Sequence, residues 1–328
     1  MNYWEFKHSL KEKKFSPVYL FTGEEKFLME EALIELRKAR FKDANYVAFF
    51  ADEITWDNII PYLESPPLLG TQLVVVRHAQ ELKDQNMPKK LDLLFKKLTN
   101  TCVVFMANAE EEKPKKISYA KYIPPEGIVE FTKFRADALR KWIKEKFQER
   151  NKSIDEESVY FLSTNYSDKM GVLMQEIDKI CAFVGEKESV TIEDLKKVLS
   201  TQEVAFYTFL DALLRRDFLL AFSGIDTLWN EGVYPQVILE IVIKQMRQLL
   251  RINALLKEGY SSEEIANKLD LHPFVVKKSI DALTKYTAAE LMEIYFLLRQ
   301  VDIEYKTTAK DQRILIEKVL LKLGRKVS

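Results

Sequence analysis

Five short apolar runs in the first 131 residues constrain this chain more than any other feature: PVYLF, NYVAFF, QLVVVRH, TCVVFMA and GIVEF. Helical patterns beginning near Glu24, Thr55 and Asn86 lie between them. Strands separated by helices predict a parallel sheet covered on both faces. After Phe131 the strand signals stop. The stretches RADALRKWIKEKFQER, DEESVYFLSTNY, DKMGVLMQEIDKICAFVG and TIEDLKKVLS read as amphipathic helices, the last with Thr191 as N-cap and Glu193 and Asp194 in its first turn. From Val204 longer helices run onward. The clearest has Pro235 near its first turn and Gly259 after its end, with Ile238, Val242, Leu249, Ile252 and Leu256 as the buried stripe. The expected architecture is one α/β domain over residues 1–135 followed by two all-α domains, 136–202 and 203–328.

The first apolar run ends at Thr22-Gly23 and passes at once into a helix, which is the shape of a phosphate-binding loop. Its chemistry is absent. A working loop reads G-x-x-x-x-G-K-[ST]; laid over this chain from Gly23, the second glycine becomes Leu28, the lysine Met29 and the hydroxyl residue Glu30. Glu24 and Glu25 stand at the positive end of the helix, where they repel an incoming phosphate. The apolar strands also lack a following acid for Mg²⁺: one leads into Arg77-His78, another into Ala107-Asn108-Ala109, and Glu110 to Glu112 read as a solvated loop. His8, His78 and His272 have no partners at metal-ligand spacing, and no C-x-x-C or G-x-S-x-G occurs. The residues predict neither catalysis nor a cofactor nor a metal.

Composition narrows the class further. Lys+Arg and Asp+Glu number 50 each, so the net charge is zero, and a dedicated nucleic-acid binder would be more basic. With only nine glycines and much Glu and Lys, the chain should be mostly helical. Cys102 and Cys181 sit far apart in apolar runs and read as buried free thiols in a reducing compartment. No apolar run approaches the roughly 18 residues of a membrane span, and MNYWEFKHSLKEKKFS is too charged for a signal peptide. A cytoplasmic protein with no membrane partner is expected.

Binding could reside in two places. In YLESPPLLGTQLVVV a helix ends near Glu64, Pro66-Pro67 stop it, and Leu68-Leu69 follow. Pro-Pro fixes φ, so an apolar pair on that loop loses little entropy on docking; the same two leucines could equally close the edge of the core. The second place is a basic stripe, Lys244, Arg247 and Arg251, at i, i+3 and i+7, a candidate for contact with a DNA backbone. Beyond it, YSSEEIANKLDLHPFVVKKSIDAL has the outline of a helix-turn-helix with Lys277 and Lys278 on the second helix, but without base-reading Arg, Asn or Gln there.

The order PVYLFTGEEKFLMEEAL, ESPPLLGTQLVVVRH, MGVLMQEIDKICAFVG with VTIEDLKKVL, FYTFLDALLRRD and VYPQVILEIVIKQMRQLL resembles the bacterial DNA polymerase III delta-subunit family along essentially the whole chain. The resemblance implies a clamp-loader member of the AAA+-related proteins: a degenerate nucleotide-binding domain, a helical lid and a helical collar. The implied partners are the beta sliding clamp, the gamma/tau and delta prime subunits through the collar, and primed DNA within the assembled complex. It implies a subunit of the polymerase holoenzyme that binds no ATP and opens the clamp. The family's clamp-contacting apolar pair matches Leu68 and Leu69, behind Pro66 and Pro67; the family often has Phe at the second position, where this chain has Leu. No Ser-Arg-Cys is present, so no arginine finger is expected. Two rival readings remain at this point, an authentic AAA+ ATPase binding nucleotide near Gly23 and a helix-turn-helix DNA-binding regulator.

Overall fold

The computed structural model of the chain describes residues 1–65, 67, 69–108, 117–307 and 312–324. It divides into two compact units, Met1–Arg135 and Ala136–Ser328.

In the first unit the five apolar runs become β1 (Val18–Gly23), β2 (Asn45–Phe50), β3 (Gln72–Arg77), β4 (Thr101–Asn108) and β5 (Ile128–Phe131). They form one sheet in the order β2-β3-β4-β1-β5, and every neighbouring pair is parallel. Helices α1 (Tyr3–Lys11), α2 (Lys26–Arg40), α3 (Trp56–Glu64) and α4 (Leu91–Lys97) surround it. Alternate residues of a strand point to opposite faces. Thus Val18 and Leu20 of β1 pack with Trp56, Ile59 and Phe95 in one core layer. Tyr19 and Phe21 point the other way, their rings 5.6 and 5.3 Å from that of Phe6 in α1. The expected sheet is therefore present, covered on both faces. Helix α1 was not anticipated; Asn2 caps it by accepting from the Trp4 and Glu5 amides, and Tyr3 and Lys7 bond to Glu31 and Glu35 of α2.

The second unit is helical: α5 (Ala136–Gln148), α6 (Glu156–Asn165), α7 (Met170–Val184), α8 (Ile192–Val198), α9 (Thr201–Arg215), α10 (Phe218–Asn230), α11 (Pro235–Lys257), α12 (Ser262–Leu269), α13 (Pro273–Leu283), α14 (Ala288–Thr307) and α15 (Gln312–Gly324). One correction concerns strands: β6 (Ser153–Ile154) and β7 (Ser189–Val190) form a small parallel pair. Two residues are too few to carry a period-two signal. Thr191 precedes α8 as expected, its amide bonded to Asp194 Oδ2 at 2.9 Å. In α11, Ile238, Val242, Leu249 and Ile252 are buried as predicted, but Leu256 is only half-buried because the last turn runs out over the smaller cluster around Ile265 and Val276. Cys102 is buried, and burial pushes its thiol far up from the ordinary range. Cys181 is corrected to half-buried, because α7 turns its burying face inward through Leu173, Ile177 and Ile180. Among the described residues no helix is long and apolar enough to cross a membrane.

Candidate partner-binding site

Helix α3 sets one end of the apolar loop. Trp56, Ile59 and Leu63 bury its inner face, and the Ser65 amide closes the last turn on the Pro61 carbonyl at 3.1 Å. Pro66 and Leu68 lie outside the described residues. Pro67 is half-buried, and Leu69 is 92% exposed, more than any other large apolar side chain described. Gly70 follows with φ +74°, in the left-handed region that a residue with a Cβ enters at a cost.

Gln72, 4% exposed, holds the other end. Its amide donates to the Asn100 carbonyl at 2.8 Å, and its Nε2 donates to the Tyr62 carbonyl at 3.2 Å, fastening β3 back to α3. The Asn45 amide donates to the Thr71 carbonyl at 2.9 Å, so the edge strand grips the loop's exit. The loop is pinned at both ends while its leucine reaches into solvent. The sequence singles out the apolar pair as one of two candidate binding places and offers no comparable emphasis on Gln72. A polar residue opening a run of valines was the available signal.

Since all strands run in parallel, the loop before β3 and the turn after β1 lie at opposite rims of the sheet. That turn keeps its shape for an internal reason. Gly23 has φ +130°, and a Cβ there would come within 2.2 Å of the Phe131 carbonyl oxygen in the neighbouring strand. The same carbonyl accepts from the Glu25 amide at 3.1 Å, occupying a donor at the mouth of α2. Leu28 and Met29 are fully buried in the core. Glu30 is engaged by Arg77 through two parallel hydrogen bonds, Nη1 to Oε1 and Nη2 to Oε2, the second at 2.9 Å. Where an ATPase places a hydroxyl on the helix and an acid after a strand, this chain has a carboxylate and a guanidinium neutralising each other. Glu110 to Glu112 lie outside the described residues. No group of three or more His, Cys, Asp or Glu side chains among the described residues is arranged to hold a metal ion.

In the second unit Lys244, Arg247 and Arg251 all stand exposed on α11 and border one groove of about 580 Å³. The helix-turn-helix outline is present as α12, Asp270 with φ +51°, and α13. Its second helix is not free to read a groove, however. Lys278 Nζ lies 2.8 Å from Glu157 Oε1, 2.5 Å from Asp211 Oδ1 and 3.0 Å from the Tyr207 hydroxyl. Burial would raise the Glu157 carboxyl, but hydrogen bonds from Lys278 and Tyr207 hold it below the usual range. That lysine is a structural clasp joining α6, α9 and α13.

A family model described as DNA polymerase III, delta subunit, matches residues 19–131. Another, described as DNA polymerase III delta subunit, C-terminal domain, matches residues 203–323. Together the two span well over half of the chain. The DNA polymerase III subunit delta of Bacillus subtilis (strain 168) is 25% identical over 329 residues, which cover 96% of this chain and 95% of that protein. The probable DNA polymerase III subunit delta of Aquifex aeolicus (strain VF5) is 22% identical over 298 residues, covering 87% and 85%. Among solved structures, the Bacillus subtilis DNA clamp loader delta protein YqeN matches with a TM-score of 0.48 and 25% identity, over 99% of this chain and all of that one.

Proposed function

The chain belongs to the DNA polymerase III delta-subunit family, and from that premise we propose that it binds and opens the beta sliding clamp by inserting Leu68 and Leu69 as an apolar wedge. The observation that carries this reading is Leu69, 92% exposed on a loop fastened at both ends. Fully burying a leucine is worth about 1.5–3 kcal/mol, and fastening a loop's two ends lowers the entropy it forfeits on docking. The wedge opens the ring because its contact is better made in the open form; a ligand shifts an equilibrium only by such a difference in affinity. Pro66 and Pro67 stiffen the approach.

ATP binding and hydrolysis belong, in this proposal, to neighbouring gamma/tau subunits. The buried Leu28 and Met29 and the paired Glu30 support it, since none can hold a phosphate. The second unit is read as a lid over 136–202 and a collar over 203–328 that joins gamma/tau and delta prime around primed DNA. The C-terminal family model beginning at residue 203 supports that division.

Leu68→Ala combined with Leu69→Ala tests the wedge. Binding to a purified bacterial sliding clamp, measured by surface plasmon resonance, should weaken at least about thirtyfold, roughly 2 kcal/mol. Thermal unfolding and co-assembly with gamma/tau and delta prime should be unchanged. Equal clamp affinity in the two chains removes these leucines from the mechanism.

A further inference from the structure

The groove on α11 combines two properties that a merely solvated helix face does not need. One is unneutralised charge. Lys244 and Arg251 take part in no ion pair among the described residues, and Arg247 rests against the Tyr295 ring at 5.9 Å. The rim acids have other partners: Asp302 pairs with Lys306 at 2.8 Å, and Glu240 accepts from Gln236 at 3.0 Å. The other property is an apolar floor, made by Ile243 of α11 with Leu269 at the end of α12 and Leu271 in the turn that follows, all half-buried.

We infer that this groove is a docking site for an extended acidic peptide of a partner protein, one that alternates carboxylate and aliphatic side chains. At about 1.5 Å rise per residue the three cations step along α11 by roughly 4.5 and 6 Å. Side chains on one face of an extended peptide recur about every 6.6 Å, so alternate carboxylates can meet successive cations. The intervening side chains then point away from α11, and aliphatic ones can cover Leu269 and Leu271, which come from another element. The cations provide attraction and register, and the floor provides apolar burial.

A phosphodiester strand fits less well. It offers nothing for an aliphatic floor, and the residues lining the groove include no aromatic ring on which a base could stack.

The probe is a fluorescein-labelled decapeptide of alternating glutamate and leucine, titrated into the full chain at low salt and read by anisotropy. Its Gln-Leu counterpart and a labelled twenty-residue oligothymidylate are titrated in parallel. The expected result is saturable binding of the acidic peptide. Lys244→Glu with Arg251→Glu, or exchange of glutamate for glutamine in the peptide, should weaken it at least about tenfold. Both substituted residues are exposed, so the variant should keep the parent's thermal unfolding midpoint. Absence of binding, or binding indifferent to the double substitution, overturns the proposal. Tighter binding of the oligothymidylate, lost in the same variant, assigns the groove to nucleic acid and overturns it equally.

Discussion

A single methyl group separates the turn at Gly23 from a broken sheet. Its Cβ would meet the Phe131 carbonyl oxygen at 2.2 Å, and both partners are strand backbone with no room to yield. Gly23→Ala should therefore cost about 3 kcal/mol, read as a lower urea midpoint with an unchanged slope. The glycine was legible as the turn of a phosphate-loop shape emptied of its chemistry, and the structure shows what that turn serves instead, the close approach of β5. Gln72 makes the complementary case. Gln72→Leu keeps the volume and strips the donor to the Tyr62 carbonyl, so stability should fall by roughly 1–2 kcal/mol. If a fixed loop is what makes the wedge effective, clamp affinity should fall too, although neither leucine has changed. A variant that binds the clamp with parent affinity would show that the loop's anchorage is dispensable.

Where helices meet, buried charge decides the register. Arg216, left-handed with φ +61°, ends α9. It donates to the Lys285 carbonyl at 2.6 Å and to Glu290 Oε1 at 2.8 Å, tying that end to the start of α14. The Arg216 hydrogen bond brings the Glu290 carboxyl down from 4.5 to about 2, and Lys187 does the same for Asp194, from 3.8 to about 2. Both folded values lie below the unfolded ones. The unfolded chain thus takes up more protons as pH falls, and stability present above about pH 4.5 is lost progressively toward pH 2. Thermal unfolding midpoints should drop between pH 5 and pH 3, and Arg216→Met should flatten part of that drop while lowering the midpoint at neutral pH. Strand and helix positions were readable because period and capping are local. The clasp at Lys278 was not: its partners Glu157 and Asp211 are remote in sequence, and a lysine on an amphipathic helix looks solvated until its neighbours are in place. Lys278→Met should cost about 3 kcal/mol, since it leaves two carboxylates together without their cation, and urea unfolding measures it.

Across the whole molecule, the parallel sheet places the loop before β3 and the turn after β1 at opposite rims of the first unit. Isothermal titration of the full chain with Mg-ATP should give no binding heat; saturable heat abolished by a substitution at Gly23 would restore the ATPase reading. The architecture was legible because five runs and their intervening helices impose it, whereas the sequence left the apolar pair open between core edge and solvent, and the structure places Leu69 in solvent. The neutralisation of Glu30 by Arg77 was hidden, because 47 residues separate two charges that only the fold brings together. That pairing also limits what the turn can become. Lysine at Met29 would thrust an ammonium into a dry interior, and a hydroxyl at Glu30 would strand the guanidinium opposite. Each step toward a phosphate-gripping loop passes first through a weaker molecule, so the contacts that make this rim sound also guard it against acquiring that chemistry.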